Sequence, residues 1–217
     1  MAKLTNGFNG PLKGKLGKAV AYILNDENII RSIGERNKKK DSEMTDTRLR
    51  TKLATDLITP VNDFIKFSFA YEAKKHKTWN FHNAASSIVR EAISGTFPNL
   101  YVDYSKVLFA SGKLPLPKNL AAEVVEKGLK FTWDTSSPEK GAKRTDLAMV
   151  LAYYPETANA NFIRSGSRRS SGYEILPLTV KNQIAEIYIA FISDDHSKVS
   201  DSVYLGQIKW QGSSAPH

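Results

Sequence analysis

Strand-like apolar segments recur at regular intervals in the second half of the chain, between residues 115 and 209, with turn-rich spacers separating them. Residues 129–133 alternate apolar and polar side chains, 147–154 form a longer apolar run, and 187–191 place Ile or Phe at every second position. Further strands are predicted at 161–164, 173–180 and 199–209. Six or seven short strands over about ninety residues predict an immunoglobulin-like β-sandwich, with the long apolar run as a central strand.

The complete absence of cysteine narrows this prediction. Antibody-like domains join their sheets with a cysteine pair, so the fibronectin type III variety fits this chain better. Trp133 is predicted to fill the core between the sheets. Because there is no cysteine, disulfides, thiolate zinc sites and cysteine nucleophiles are all excluded.

A glycine-rich basic hairpin is predicted near the start of the chain. The β-type runs Ala19–Leu24 and 29–33 flank a turn-rich segment, and glycines precede them at positions 7, 10, 14 and 17. No Ser or Thr follows the Gly-Lys pairs, so a phosphate-binding loop is not predicted. An isolated hairpin is only marginally stable. It must therefore pack on the helices, on the sandwich or on a neighbouring subunit, where its strand edge can accept another strand.

Two helices are predicted after the hairpin. The first begins at Thr45, whose hydroxyl is a good N-cap, and Pro60 is expected to break it before a short segment through Phe69. The second spans roughly residues 80–94, and Gly95 is its predicted C-terminal stop. Together with the sandwich, these elements predict an α+β fold.

A domain boundary is predicted in the middle of the chain. After the helices, a strand is expected at 102–109, and Gly and Pro residues then punctuate the sequence. We therefore predict a basic hairpin and helical domain over 1–112, an immunoglobulin-like β-sandwich over 113–211, and a polar tail over 212–217.

Positive charge is concentrated in the N-terminal part. The net charge of +9 divides into +7 for residues 1–80, with 16 Lys and Arg against 9 Asp and Glu, and +2 for the remainder. Such asymmetry favours an anionic partner, either nucleic acid or an acidic protein, although ordinary soluble proteins also show it. The candidate interaction residues are Lys13, Lys15, Lys18, Tyr22, Arg31, Arg36, Lys38, Lys39, Lys40, Arg48 and Arg50.

Catalytic motifs are not found in the sequence. The four histidines lack zinc-ligand spacing, and there is no Gly-x-Ser-x-Gly elbow. Asp194, Asp195 and Asp201 could hold calcium in a turn, but such acidic turns are usually just solvated. The sequence therefore predicts a non-enzymatic protein without a cofactor. No apolar run reaches eighteen residues and the start resembles no secretory signal, which predicts a cytoplasmic protein or one released as part of an assembly by a non-classical route.

The order of several segments resembles an uncharacterised Bacteroidota family known only as a domain of unknown function. These segments are Ile-Arg-Ser at 30–32, Thr-Arg-Leu-Arg at 47–50, and the stretches 81–85, 92–98, 103–107 and 199–206. The resemblance implies the hairpin, the two helices and the fibronectin-like tail, and it implies no activity. A basic head with such a tail is also reminiscent, by analogy, of phage-type and cell-surface assembly proteins.

Three functional hypotheses follow from the sequence. The favoured one is a structural protein that self-assembles into a homo-oligomer or filament through its hairpin and sandwich. The alternative is a non-specific nucleic-acid-binding protein that uses the basic N-terminal half. A third is a carbohydrate- or surface-binding sandwich that uses Tyr153, Tyr154 and Trp210, which this hypothesis requires to be exposed.

Overall fold

The computed structural model describes residues 3–4, 12–24, 27–34, 45–136 and 139–212. The fold is mixed α+β, and its strands pair in antiparallel fashion. Several predicted features lie outside the described residues. These are the glycines at 7 and 10, the basic residues Arg36, Lys38, Lys39 and Lys40, and the tail from residue 213 onwards.

The predicted hairpin is confirmed as part of a wider sheet. The four strands β1 (Lys3–Leu4), β2 (Leu12–Leu16), β3 (Ala19–Leu24) and β4 (Glu27–Ser32) pair in chain order. The prediction missed β2, because a glycine at its centre disfavours a strand assignment. Gly17 adopts a φ of +58° in the two-residue turn between β2 and β3, a left-handed conformation that glycine adopts without strain. We call these strands the N-terminal sheet.

The helical part begins as predicted. Helix α1 (Asp46–Ile58) is capped by Thr45, whose side chain accepts a hydrogen bond of 3.4 Å from the backbone N–H of Arg48. A short 3₁₀ turn around Pro60 then separates α1 from the helix α2 (Asn62–Ser68), so the predicted break is confirmed. Two further helices follow, α3 (Ala70–Ala73) and α4 (Phe81–Val89).

The prediction for residues 80–109 was wrong at the end of the helix, at the hairpin that follows it and at the strand expected over 102–109. Helix α4 ends at Val89, and residues 93–102 form a hairpin of β5 (Ile93–Thr96) and β6 (Asn99–Val102). Helix α1 holds this hairpin, because the Arg50 guanidinium donates hydrogen bonds to the carbonyl oxygens of Ile93 (2.6 Å) and Gly95 (3.1 Å). Gly95 therefore lies in a strand, with a φ of +95°, and does not cap the helix.

The strand predicted at 102–109 is also absent, since β6 ends at Val102 and a 3₁₀ turn follows. Phe109 is fully buried. Its backbone N–H donates to Ser202 Oγ (2.9 Å), and its carbonyl oxygen accepts from Ser68 Oγ (2.6 Å). These side-chain bonds satisfy backbone groups that a strand would have paired with a neighbouring strand.

Two antiparallel sheets form the second half of the chain. The strands are β7 (Ala121–Val125), β8 (Gly128–Thr132), β9 (Leu147–Tyr154), β10 (Asn159–Ile163), β11 (Tyr173–Pro177), β12 (Ile184–Ile192) and β13 (Val203–Lys209). One sheet has the order β10-β9-β12-β13 and the other β11-β8-β7. The prediction missed β7, which is partly exposed and begins with two alanines, residues of low strand propensity.

The two central strands of the larger sheet, β9 and β12, are buried on both faces. Along β9, Met149, Leu151 and Tyr153 pack with the helices, whereas Val150 and Tyr154 pack with the smaller sheet. This two-sided burial explains the continuous apolar run at 147–154. Helices, larger sheet and smaller sheet therefore form three layers, and the boundary at Gly112 stays a prediction.

Trp133 lies between the two sheets, as predicted. Its side chain is almost fully buried and meets the ring of Phe191 edge-on, with ring centroids 5.1 Å apart. The indole Nε1 donates a 2.7 Å hydrogen bond to the carbonyl oxygen of Arg169, so the polar group of this aromatic side chain is satisfied inside the core.

Candidate interaction surface

The two faces of the N-terminal sheet differ in their chemistry. Directly opposite residues of antiparallel strands share a face, and successive residues alternate. Lys15 is opposite Val20, and Val20 is opposite Arg31, so these three side chains lie on one face. We call it the basic face, formed by Lys13, Lys15, Val20, Tyr22, Leu24, Glu27, Ile29 and Arg31. The other is the apolar face, formed by Leu12, Leu16, Ala19, Ala21, Ile23 and Ile30 with Gly14, Asn28 and Ser32.

The apolar face exposes three large side chains to solvent, although Ala21 on the same face is buried. Leu16 is 57% exposed, Ile23 37% and Ile30 59%. Among the described residues, no member of the N-terminal sheet belongs to either of the two hydrophobic clusters that form the interior. Within the described residues, Leu16, Ile23 and Ile30 are therefore left largely uncovered on the same face, and exposed apolar patches commonly mark interaction sites.

The outer edge of β4 is a second feature of this sheet. Strand β4 pairs with β3 on one side only, and the described part of the chain places no strand on its other side. Five of its six residues are exposed. The backbone groups along such an edge can pair with a strand from another chain.

The structure brings together four of the predicted site residues and separates the others. Lys13, Lys15, Tyr22 and Arg31 share the basic face. Lys18 lies in the turn between β2 and β3. The other two described candidates lie on helix α1.

These two helical arginines have different surroundings. Arg48 is exposed on α1. Arg50 is half-buried, and its guanidinium contacts Asp46 at 3.0 Å as well as the β5–β6 hairpin. These hydrogen bonds tie the helix to that hairpin, a role that the sequence did not indicate because the acceptors are backbone carbonyls distant in sequence.

Sequence reasoning missed a groove between the N-terminal sheet and the helices. It has a volume of about 570 Å³, and its residues include Glu27 from β4 and, from the helical part, Lys66, Lys74, His76, Lys77 and Trp79. The His76 and Trp79 rings are stacked with centroids 3.8 Å apart. Cationic side chains beside a stacked aromatic pair form a surface that suits anionic ligands with flat rings.

The proposal that Tyr153, Tyr154 and Trp210 form an exposed binding surface was wrong. Each is less than a tenth exposed, because β9 is covered on both faces and Trp210 belongs to the cluster between the sheets. Burial raises the pKa of both Tyr153 and Tyr154 to about 12. Their hydroxyls therefore stay protonated at neutral pH.

The remaining chemistry of the described residues is sparse. They include no group of three or more His, Cys, Asp or Glu side chains placed to hold a metal ion. The Asp194–Asp195 turn is satisfied locally, since the Asp195 carboxylate accepts from the Ser193 and Ser197 hydroxyls. These hydrogen bonds lower the pKa of Asp195. The helices of the described chain include none with the length and apolarity needed to cross a membrane.

A family model described as a family of unknown function (DUF6266) matches residues 12–206. The match begins at β2 and reaches into β13, so it spans nearly all the elements described above. No curated protein and no solved structure matches the chain.

Proposed function

The chain belongs to the DUF6266 family of unknown function, and we propose that it is a non-enzymatic structural or interaction protein that self-assembles through its N-terminal sheet and its β-sandwich. The product would be an oligomer, a filament or part of a phage-like or cell-surface assembly. One observation carries this proposal: within the described residues, Leu16, Ile23 and Ile30 of the apolar face stay exposed although two buried clusters form elsewhere. Further copies of the chain would cover that face.

We also infer that the two sheets of the second half form an immunoglobulin-like sandwich of the fibronectin type III kind. Its first, second and fifth strands (β7, β8, β11) form one sheet and the other four strands form the second, with a shared apolar core. Two antiparallel sheets packed face to face are the architecture of that class. Sandwiches of this class are frequent in cell-surface proteins, which supports an assembly role by analogy.

Self-assembly is tested by the native mass of nuclease-treated protein, measured by light scattering at low and at high salt. We expect a defined oligomer at micromolar concentration that persists at high salt, because burial of apolar side chains is not weakened by screening. Replacing Ile30 with Lys should shift the mass towards the monomer, with a Kd at least about tenfold weaker, a change of about 1.4 kcal/mol.

Tyr101→Lys is the matched control for this experiment. Tyr101 is as exposed as Ile30, at 61% against 59%, and lies on a different hairpin, so this variant should keep the wild-type mass. A wild-type chain that is monomeric at all concentrations and salts tested would overturn the proposal. Equal loss of mass in both variants would also count against the N-terminal sheet as the interface.

Non-specific nucleic-acid binding is the second candidate function. The observation that favours it is the gathering of Lys13, Lys15 and Arg31 on one sheet face, with the lysine-lined groove at the helices nearby. These residues suit phosphate contacts, whose strength falls steeply with salt because bound counterions are released.

A titration with single-stranded and duplex DNA tests this candidate. If it holds, affinity should fall by roughly tenfold or more between 50 and 200 mM salt, and Lys13→Glu with Lys15→Glu should weaken binding further. Lys130→Glu is the control, because Lys130 pairs with Glu123 on the sandwich, away from the basic face. No detectable binding at about 50 mM salt would remove this candidate.

A further inference from the structure

The two edges of the N-terminal sheet differ in the length of strand that each presents to a partner. At one edge, the described β1 has only the two residues Lys3–Leu4, whereas β4 at the other edge has six. Natural edge strands are usually guarded by charged side chains, especially lysine, by proline or by a bulge. Strand β4 contains neither lysine nor proline, its two charged residues Glu27 and Arg31 have opposite signs, and its pairing with β3 is regular from end to end. It is therefore the edge suited to accept another strand.

The sequence of β4, Glu-Asn-Ile-Ile-Arg-Ser, is self-complementary in an antiparallel pair. The two-fold axis that relates identical edge strands of two antiparallel-paired sheets is perpendicular to the plane of the sheets. Side chains of one face therefore lie beside side chains of the same face of the other copy. With the axis at Ile29, that residue lies opposite its own copy, and Glu27 of each chain lies opposite Arg31 of the other. Each dimer then contains two cross-strand ion pairs.

Neighbouring registers lose this complementarity. A shift of the strand register by one residue is excluded, because it would place the basic face of one copy beside the apolar face of the other. A shift of the axis to Ile30 would place Arg31 opposite Ile29 of the second copy and Glu27 opposite Ile33. A shift of the axis to Asn28 would place Glu27 opposite Ile29. Only the axis at Ile29 sets both charged residues of β4 against opposite charges.

We propose that two copies of this chain pair through their β4 strands about a two-fold axis at Ile29, with Glu27 of each copy opposite Arg31 of the other. This inference rests on the proposed self-assembly and names the contact through which it begins. The pairing joins the two N-terminal sheets into one, with both apolar faces on the same side. It thereby doubles the apolar strip that further copies can cover.

Cysteine cross-linking tests the register, since the chain has no cysteine of its own. In Ile29→Cys, the two thiols lie opposite each other, with Cα atoms about 5 Å apart, which suits a disulfide. In the control Ile30→Cys, the equivalent atoms are offset by two residues and lie about 8 Å apart, beyond disulfide reach. We expect mild oxidation to convert most of the first variant, and little of the second, to a covalent dimer.

A charge exchange tests the ion pairs. Glu27→Arg or Arg31→Glu alone places like charges opposite each other twice per pair, and each variant should associate at least about tenfold more weakly than the wild type. Mixing the two variants in equal amounts restores opposite charges at both positions, so mixed dimers should form with near wild-type affinity.

The outcomes separate this inference from the proposed function. An oligomer that cross-links through Ile30→Cys but not Ile29→Cys, or that the charge variants leave intact, would overturn the β4 register and leave self-assembly standing. A wild-type chain that is monomeric throughout would overturn both. Selective cross-linking through Ile29→Cys together with rescue by the mixture would establish the pairing.

Discussion

Replacing Asp146 with Ala should lower the free energy of unfolding by about 3–5 kcal/mol, because the change strands a buried positive charge. Asp146 and Arg169 are 1% and 4% exposed, and Asp146 Oδ2 lies 3.4 Å from Arg169 Nε. The guanidinium also lies 4.6 Å above the Phe191 ring and donates to the Pro115 carbonyl oxygen. Burial lowers the pKa of Arg169.

Urea denaturation of two further variants separates this effect from general damage. Glu123→Ala removes a partner of the exposed Lys130–Glu123 pair and should cost no more than about 1 kcal/mol. The double variant Asp146→Ala/Arg169→Met removes both buried charges and should recover much of the loss, since apolar groups often replace a buried ion pair without penalty. A loss below about 1 kcal/mol for Asp146→Ala would show that Arg169 reaches solvent.

Phe109→Ala should cost about 3–5 kcal/mol, the range for removing a fully buried Phe. Its ring meets Tyr188 of β12 edge-on, with centroids 4.8 Å apart, and lies 5.8 Å from the ring of Tyr153. The hydrogen bonds of residue 109 to Ser68 and Ser202 are made by its backbone, so the substitution leaves them in place. The loss of unfolding free energy therefore measures the contribution of the buried ring. The spectroscopic signals of the helices and of the sheets should be lost in one shared unfolding transition, since both parts contribute to the same hydrophobic cluster.

Thermal unfolding followed by far-ultraviolet circular dichroism and by tryptophan fluorescence checks this prediction. Tyr101→Ala is the control, because Tyr101 is 61% exposed and its loss should change stability by no more than about 0.5 kcal/mol. Separate transitions for the helical and sandwich parts would contradict a shared core. That result would support the predicted division at Gly112.

Local signals were sufficient for the elements whose ends depend on neighbouring residues. The hydroxyl of Thr45 and the ring of Pro60 act within one helical turn, so the start of α1 and its break could be predicted. The end of α4 could not, because Arg50 holds the following hairpin from 43 and 45 residues away. Strand β2 was missed since its central glycine masks the alternation of Leu12, Lys13, Lys15 and Leu16.

The candidate site shows the same division. Charge asymmetry indicated the basic N-terminal part, but only the register of β2, β3 and β4 assigns Lys13, Lys15, Tyr22 and Arg31 to one face. The groove beside His76 and Trp79 arises from packing of helices against a distant strand, for which the sequence carries no local signal.

By itself, the sequence determined the α+β class, the strand-rich second half, the N-terminal hairpin and the concentration of positive charge, because each is expressed in short-range periodicity or composition. Only the tertiary structure decided that the larger sheet is covered on both faces, which buries Tyr153 and Tyr154, while the described part of the chain leaves Leu16, Ile23 and Ile30 of the N-terminal sheet exposed. The physical reason is that the identity of an apolar residue does not reveal whether another layer of the fold covers its side chain. Burial depends on which layers meet, and residues far apart in the chain set that contact.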